Sequence, residues 1–175
     1  MPQMEDPNFR HTLTYIIDHG DHGALGFVVN RNIGIELNEV FDQMNINPEQ
    51  SADTASPVLE GGPVDREHGL VLYPTASGSS WNSSKDFGHG VCLSSSRDIL
   101  VDMACGKGPD KCLVLLGHSG WGPGQLELEM SHNAWLNCPA DDKILFDTHI
   151  DQKLNAAASL IGVDLNNVVS VAGHA

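Results

Sequence analysis

One domain of mixed strands and helices is the fold class that the sequence predicts, on three observations. A length of 175 residues suits a single core, and no linker, internal repeat or shift of composition divides the chain. Segments with the two-residue period of a strand and the 3.6-residue period of a helix are mixed along it. The apolar fraction, 41%, is enough for a core, yet no window approaches the ~20 apolar residues of a membrane span.

Taken in order, His11 to Asp18 alternates, with Leu13, Tyr15 and Ile17 facing one way. The turn residues HGDHG and a second apolar run, Ala24 to Asn30, make it the first half of a hairpin. Leu37, Val40, Phe41 and Met44 recur at helical spacing, and Pro48 stops that helix. Residues 49–56 are a polar loop; Val58 and Leu59 lead into a sharp turn at Gly61-Gly62-Pro63, and Gly69 to Tyr73 is a further strand. Pro74 to Asp86 is the clearest loop, small and polar, and its Trp81 pins it to the body. After a short strand at Val91 to Leu93, Ser95 reads as an N-cap with Asp98 at the third helical position. Ile99, Leu100 and Met103 form the buried stripe, ended by Gly106, Gly108 and Pro109.

The stretch around which the chain is organised is Lys111 to Trp135. A buried strand, Cys112 to Leu116, meets four glycines, Gly117, Gly120, Gly122 and Gly124, which read as a tight loop holding Trp121. Gln125 to His132 then reads as a helix, although Leu126, Leu128 and Met130 alternate with Glu127 and Glu129. The turn WGPG does not suit a hairpin, which decides for the helix. Ala134 to Cys138 is a short strand. Asp151 caps a last helix that turns Leu154, Ala157, Ala158 and Ile161 inward and stops at Gly162. The tail carries VVSV.

Composition narrows the function. Asp plus Glu number 23 against nine Lys plus Arg, a net charge of −14, and no two cations are adjacent. Nucleic-acid binders need clustered cations to displace counterions. The N-terminus is acidic and has no apolar signal core, which places the protein in the cytoplasm. The cysteines Cys92, Cys105, Cys112 and Cys138 form no C-x-x-C pair and read as packed thiols. No cofactor is implied.

No catalytic set emerges. The glycine spacing is neither a P-loop nor a dinucleotide fingerprint. Around Ser119 the nucleophile-elbow pattern fails, because Trp121 stands where a glycine is needed. The nine histidines contain no H-x-x-x-H or H-E-x-x-H pattern, and no metal site is assigned. The carboxylates read as solvated faces. Arg31, just after a strand, and Arg97, in the first turn of a helix, stand out. A cation at a helix N-terminus opposes the macrodipole, so Arg97 needs a partner: Asp98, Glu60, Asp65 or an anionic ligand.

The motifs MPQMEDPNF, GALGFVVNR, EGGPV, SSRDIL, GHSGWGPGQLELEM, NAWL, LFD and the terminal AGHA resemble, in that order, the AlgH-like (YqgE-like) family of bacterial proteins, across nearly the whole chain. The resemblance implies a single α+β domain over residues 1–175, with a bifurcated mixed β-sheet folded into a pseudo-barrel and flanking helices. It implies no catalytic residues, and its label of transcriptional regulator derives from a link to alginate control in one lineage. The positions that match its motifs are Asn30 and Arg31; Gly61, Gly62, Pro63 and Val64; Ser96, Arg97 and Asp98; the run from Gly120 through Trp121, Gly122 and Gln125 to Glu127; and Trp135. Family members carry an apolar strand-like segment before the Met-Pro. The numbered chain begins at Met1-Pro2; either its start is truncated or a sheet edge is left unpaired, which would invite a homo-oligomer. The reading is a non-enzymatic binding or regulatory module with a protein partner or a small anionic ligand, and no membrane. The alternative is a ligand-binding protein or enzyme with a pocket at the Gly-Trp loop, lined by Arg31, Arg97, Trp121 and Gln125.

Overall fold

A computed structural model describes residues 6–77 and 81–165. The first hairpin forms as its turn chemistry dictates: β1 (Thr14–Gly20) and β2 (Gly23–Val28) pair antiparallel across Asp21 and His22. A strand that the sequence reading left unassigned follows, β3 (Asn32–Glu36). It runs into α1 (Leu37–Gln43), where the Glu39 carboxylate accepts the Glu36 N–H at 3.1 Å, and Leu37 and Phe41 are buried. The helix ends before Pro48, because Asn45 turns the chain with a φ of 52°.

Next come β4 (Pro57–Glu60), β5 (Val64–Pro74), the two-residue β6 (Lys85–Asp86) and β7 (Val91–Ser94). Helix α2 (Arg97–Ala104) has Ser96 rather than Ser95 at its N-cap, which puts Asp98 at the second helical position instead of the third. Strand β8 (Leu113–Trp121), α3 (Gln125–Ser131) and α4 (Ile150–Leu160) complete the order.

The sheet divides at β8. One edge of β8 pairs with β5, and its other edge is shared. Val114 to Leu116 pair parallel with β4, and Ser119 to Trp121 pair antiparallel with β2. Gly117, with a φ of 73°, lies between the two pairings. The strand order is β1-β2-β8-β5-β7-β6, with β3 and β4 branching off β8. The result is the curled, bifurcated sheet with flanking helices that the family resemblance implied, in one domain. Among the described residues no strand pairs with the outer edge of β1.

Both faces of the sheet are covered, and the two-residue period sorts its side chains. Val58, Val71, Tyr73 and Val114 join Phe41, Trp81 and Ile99 on one side. Leu59, Leu70, Leu72 and Leu115 join Phe27, Val29 and Leu145 on the other. Trp81 does pin its loop: it is buried, edge-on to Tyr73 at 5.1 Å.

Three expectations are corrected. The glycine stretch from Gly117 to Trp121 is strand, and only Gly122 to Gly124 turn the chain. A Cβ on Gly117 would lie 2.7 Å from the Gly62 carbonyl oxygen, a close approach of backbone that sequence spacing does not display. Ala134 to Cys138 forms no strand, for it has no partner in any ladder; Asn133, with a φ of 55°, turns it away from α3. Helix α4 is capped at His149, not Asp151, which lies in its first turn. VVSV lies outside the described residues.

Helix α4 also turns inward a residue the apolar pattern did not include. Lys153 is 1% exposed, and its ammonium donates to the carbonyls of Ile144 (3.1 Å) and Leu145 in a π-helical turn, Lys143–Asp147. Such a turn leaves carbonyls without ladder partners, and the lysine supplies them. Burial lowers its pKa from 10.5 to about 8, against the opposing charge of Asp147. Between those values the unfolded chain binds more protons than the folded one, so stability rises with pH. The gain is fully present only above the unfolded value and is lost as pH falls through 8. Urea titrations at pH 8 and pH 9 should show the protein gaining about 1 kcal/mol more than Lys153→Met over that step. Equal changes in the two proteins would mean Lys153 titrates normally. Cys112, whose thiol burial pushes up to about 12, works in the opposite direction in both proteins.

Candidate functional site

Five of the motifs meet around the N-terminal segment Asp6 to Thr12. Strand β2 ends at Val28, and the chain beyond it carries Asn30 and Arg31 alongside that segment. The Arg31 guanidinium donates to the carbonyls of Asn8 (2.9 Å), Pro7 (3.1 Å) and Arg10 (3.2 Å). Asn30 donates to the His11 carbonyl at 3.1 Å and accepts the Leu13 N–H at 2.7 Å. Together they hold the backbone of the segment without reading its side chains. Glu60, at the end of β4, lies 3.5 Å from Arg31 and also pairs with Arg66.

One side chain of the segment is anchored. The Phe9 ring sits 5.8 Å from Trp121 and 5.2 Å from Trp135, and the two indoles meet edge-on at 5.9 Å. Edge contacts of this kind add to the area burial of the rings. Trp121 is the last residue of β8 and is 5% exposed. Both indole N–H groups donate to one oxygen of Glu129, at 3.1 Å from Trp121 and 2.7 Å from Trp135. Gln125, one helical turn earlier, donates to the other oxygen at 2.9 Å and accepts the Gly122 N–H at 3.0 Å. Glu129 is therefore the hub that joins the end of β8, helix α3 and Trp135. Across the hairpin, His19 pairs with Glu127, whose carboxyl is held below its ordinary range by its own backbone N–H and by His19.

Phe9 and Glu129 were missed by sequence reasoning. Glu129 was read as part of a solvated face, although its four-residue spacing from Gln125 places both on one side of a helix. Phe9 had no signal beyond its place in the DPNF motif, since its contacts lie more than a hundred positions away.

The glycine motif at Gly61-Gly62-Pro63 has a structural purpose. A Cβ on Gly61 would lie 2.2 Å from the Gly117 carbonyl oxygen, and one on Gly62 2.3 Å from that of His118. The strand end crosses β8 backbone to backbone. Ser119 is wholly buried there and donates to the Gly61 carbonyl at 3.3 Å. Pro63 is exposed.

Ser96, Arg97 and Asp98 form a second group. The Asp98 carboxylate accepts from the Ser96 hydroxyl, from the Asn82 N–H at 2.8 Å and from the Ile99 N–H at 3.0 Å; the first two chiefly hold its pKa down. The Trp81 indole donates to Asp102 at 2.8 Å. These bonds fasten the Trp81 loop onto α2. Arg97 donates to the Met44 carbonyl at 3.0 Å, and none of the carboxylates expected for it is its partner. Among the described residues, no hydrogen bond or ring contact joins this group to the Arg31 group. Arg31 lines an open cleft of about 350 Å³ with Asn32, Ile33, Glu60, Arg66 and Leu116; Arg97, Trp121 and Gln125 do not line it. This cleft is therefore not the one that the alternative reading expects at the Gly-Trp loop. Among the described residues no group of three His, Cys, Asp or Glu is placed to hold a metal ion.

A family model described as AlgH-like matches residues 1–166. The chain is similar to a UPF0301 protein of Hahella chejuensis, 44% identical over 175 residues, covering 100% of this chain and 92% of the relative. It is similar to the protein AlgH of Pseudomonas aeruginosa, 45% identical over 176 residues with the same coverage. The solution structure of AlgH from Pseudomonas aeruginosa superposes with a TM-score of 0.79 at 44% identity, over 100% of this chain and 92% of that one. A crystal structure of a Corynebacterium diphtheriae protein, at 18% identity and a TM-score of 0.59, covers 81% of this chain and 73% of its own and shares the fold alone.

Proposed function

The chain belongs to the AlgH-like family, and from that premise we propose that it works as a non-enzymatic interaction module that meets a protein partner over helix α3. One observation carries this. Helix α3 buries no residue, yet it is fastened by the Glu129 bonds, by Gln125 and by the His19–Glu127 pair. A seven-residue helix that fully buries none of its side chains would fray on its own. Here polar bonds preserve its shape while Leu128, 58% exposed, and Leu136, 47% exposed, face solvent. Exposed apolar side chains on a rigid frame are what a protein partner covers.

The charge directs the choice of partner. A chain of net charge −14 repels nucleic acid at long range and attracts a basic protein surface. Any regulatory role of the module therefore passes through protein rather than through direct contact with DNA. Four free thiols suit a reducing compartment, the cytoplasm; no described helix is long and apolar enough to cross a membrane. One domain over residues 1–175 is part of the same reading. A small anionic ligand at the Arg31 cleft is less favoured, because Glu60 already stands between Arg31 and Arg66.

The test is affinity capture from the native host with the protein and with Leu128→Asp. Leu128 is exposed, so the variant should stay within about 0.5 kcal/mol in stability. A stoichiometric partner held by the protein and lost by the variant is the expected result. A partner held equally by both, or steady turnover of a metabolite, would refute the proposal.

A further inference from the structure

Beyond the partner surface on α3, we propose that the cleft beside Glu60 and Arg66 binds a small free monocarboxylic acid with an apolar body, its carboxylate held by the outer edge of the Arg66 guanidinium. The cleft is open and about 350 Å³, a size that suits a small molecule. Its floor is apolar: Ile33 and Leu116 line it and pack against the core beneath. The Glu60 carboxylate meets Arg31 with one oxygen and Arg66 with the other. Two guanidiniums against one carboxylate leave one positive charge at the cleft, and neither Asp65 nor Glu67, the chain neighbours of Arg66, lines it. The net charge of −14 repels anions from afar, but physiological salt screens that repulsion beyond ~8 Å.

The backbone is shaped to put Arg66 there. Strand β5 pairs Val64 with His118 and Gly69 with Leu116, so residues 65–68 bulge out opposite Gly117. A bulge gives up ladder bonds and re-aims the side chains it carries. Asp65, within it, has a φ of 49°, a left-handed conformation that a non-glycine residue adopts at a cost. Gly117 makes room for the bulge: a Cβ there would lie 2.8 Å from the Val64 carbonyl oxygen and 3.2 Å from the Arg66 Cα. The bonds then decide the form of the ligand. Both terminal nitrogens of Arg31 are committed, to three carbonyls and Glu60. Arg66 bonds Glu60 through Nη2 alone, which leaves one forked edge of its guanidinium without a partner among the described residues. A carboxylate matches such an edge in bidentate fashion. Glu60 stands between the two guanidiniums and bars an anion that needs both; it does not bar one that needs only the outer edge of Arg66.

Titration of the protein with isocaproate, followed by NMR at the amides of Ile33, Arg66 and Leu116, tests this. The shifts should saturate with a dissociation constant on the order of millimolar, the range for so small a ligand. Acetate, which lacks the apolar body, and isocaproamide, which lacks the charge, should each bind about tenfold more weakly or worse. Acetyl-leucine, which puts the carboxylate at the end of a peptide unit, should also bind more weakly, because its amide would lie on the apolar floor. Arg66→Met keeps the stem without the charge and should weaken isocaproate binding about tenfold or more, with Arg66→Lys in between. The Arg66 side chain is 59% exposed, so both variants should fold. Equal binding by Arg66→Met, inorganic phosphate bound more tightly than isocaproate, or shifts that do not saturate or are as large beside Lys85 and Lys111 would overturn the proposal. Acetyl-leucine bound more tightly than isocaproate would make a chain end the ligand and overturn the assignment to a free acid. None of these variants touches Leu128, so failure here is distinct from failure of the α3 partner surface.

Discussion

Replacing Gly62 with alanine is expected to remove the folded protein. The residue has a φ of 153°, in the region that favours glycine, and its added Cβ would meet the His118 carbonyl oxygen and the Ser119 hydroxyl, each at 2.3 Å. These are atoms of a central strand paired on both edges, so no flexible side chain can yield. Relief would require β4 and β8 to part where the sheet divides. A cost of roughly 4 kcal/mol or more follows, comparable to the whole stability of a marginal domain. Soluble yield and a denaturant titration measure it. Gly120→Ala is the control: it lies in the same strand with nothing within 4 Å of the added Cβ, and should change stability by no more than about 0.5 kcal/mol. If Gly62→Ala folds as firmly as Gly120→Ala, the backbone crossing described here is wrong.

Trp121→Ala is the second large effect. The side chain is 5% exposed and contacts Phe9 and Trp135, and its indole donates to Glu129. Truncating a buried tryptophan costs about 3–5 kcal/mol. The loss should be felt unevenly. Phe9 loses one wall, Glu129 loses one donor, and both the N-terminal segment and α3 are left with fewer restraints. Hydrogen exchange should quicken at the Phe9 and Arg10 amides, which bond to the Asp6 carbonyl, and at the Leu128 amide, which bonds to Gly124. Trp121→Phe should recover much of the stability, because it restores an aromatic wall without the N–H. A Trp121→Ala protein with unchanged stability would mean that the aromatic group holds nothing.

Several elements were legible because their causes are local. The hairpin of β1 and β2 follows from alternation and a two-residue turn, α1 from its i, i+3, i+4 stripe, and α2 from the stripe of Ile99 and Leu100. Helix α3 was legible despite its alternating apolar residues, because WGPG could not close a hairpin. The family resemblance supplied the divided sheet, which no local period encodes. Strand β3 escaped notice because three of its five residues face solvent and it pairs irregularly with β4. The candidate residues were legible as motif positions, but where each of them lies was not. Asn30, Arg31, Trp121 and Trp135 meet at the N-terminal segment, Gln125 at Glu129, Gly61 and Gly62 at the sheet crossing, and Ser96 to Asp98 under the Trp81 loop.

The sequence by itself determined the chemistry available: a strongly acidic chain, no paired nucleophile and base in any recognised motif, a glycine-tryptophan stretch, and an order of motifs that places it in a family. Only the tertiary structure decided which role each of those residues takes. Gly117 and Gly120 lie in a strand rather than a loop because β2 and β4 share an edge of β8. Arg31 holds three main-chain carbonyls beside the Glu60 carboxylate because the N-terminal segment is folded onto it. Lys153 is buried because a π-helical turn offers it two carbonyls. Each outcome depends on which backbone passes within hydrogen-bond reach, a distance set by segments far apart in the chain, and periodicity carries information only about neighbours.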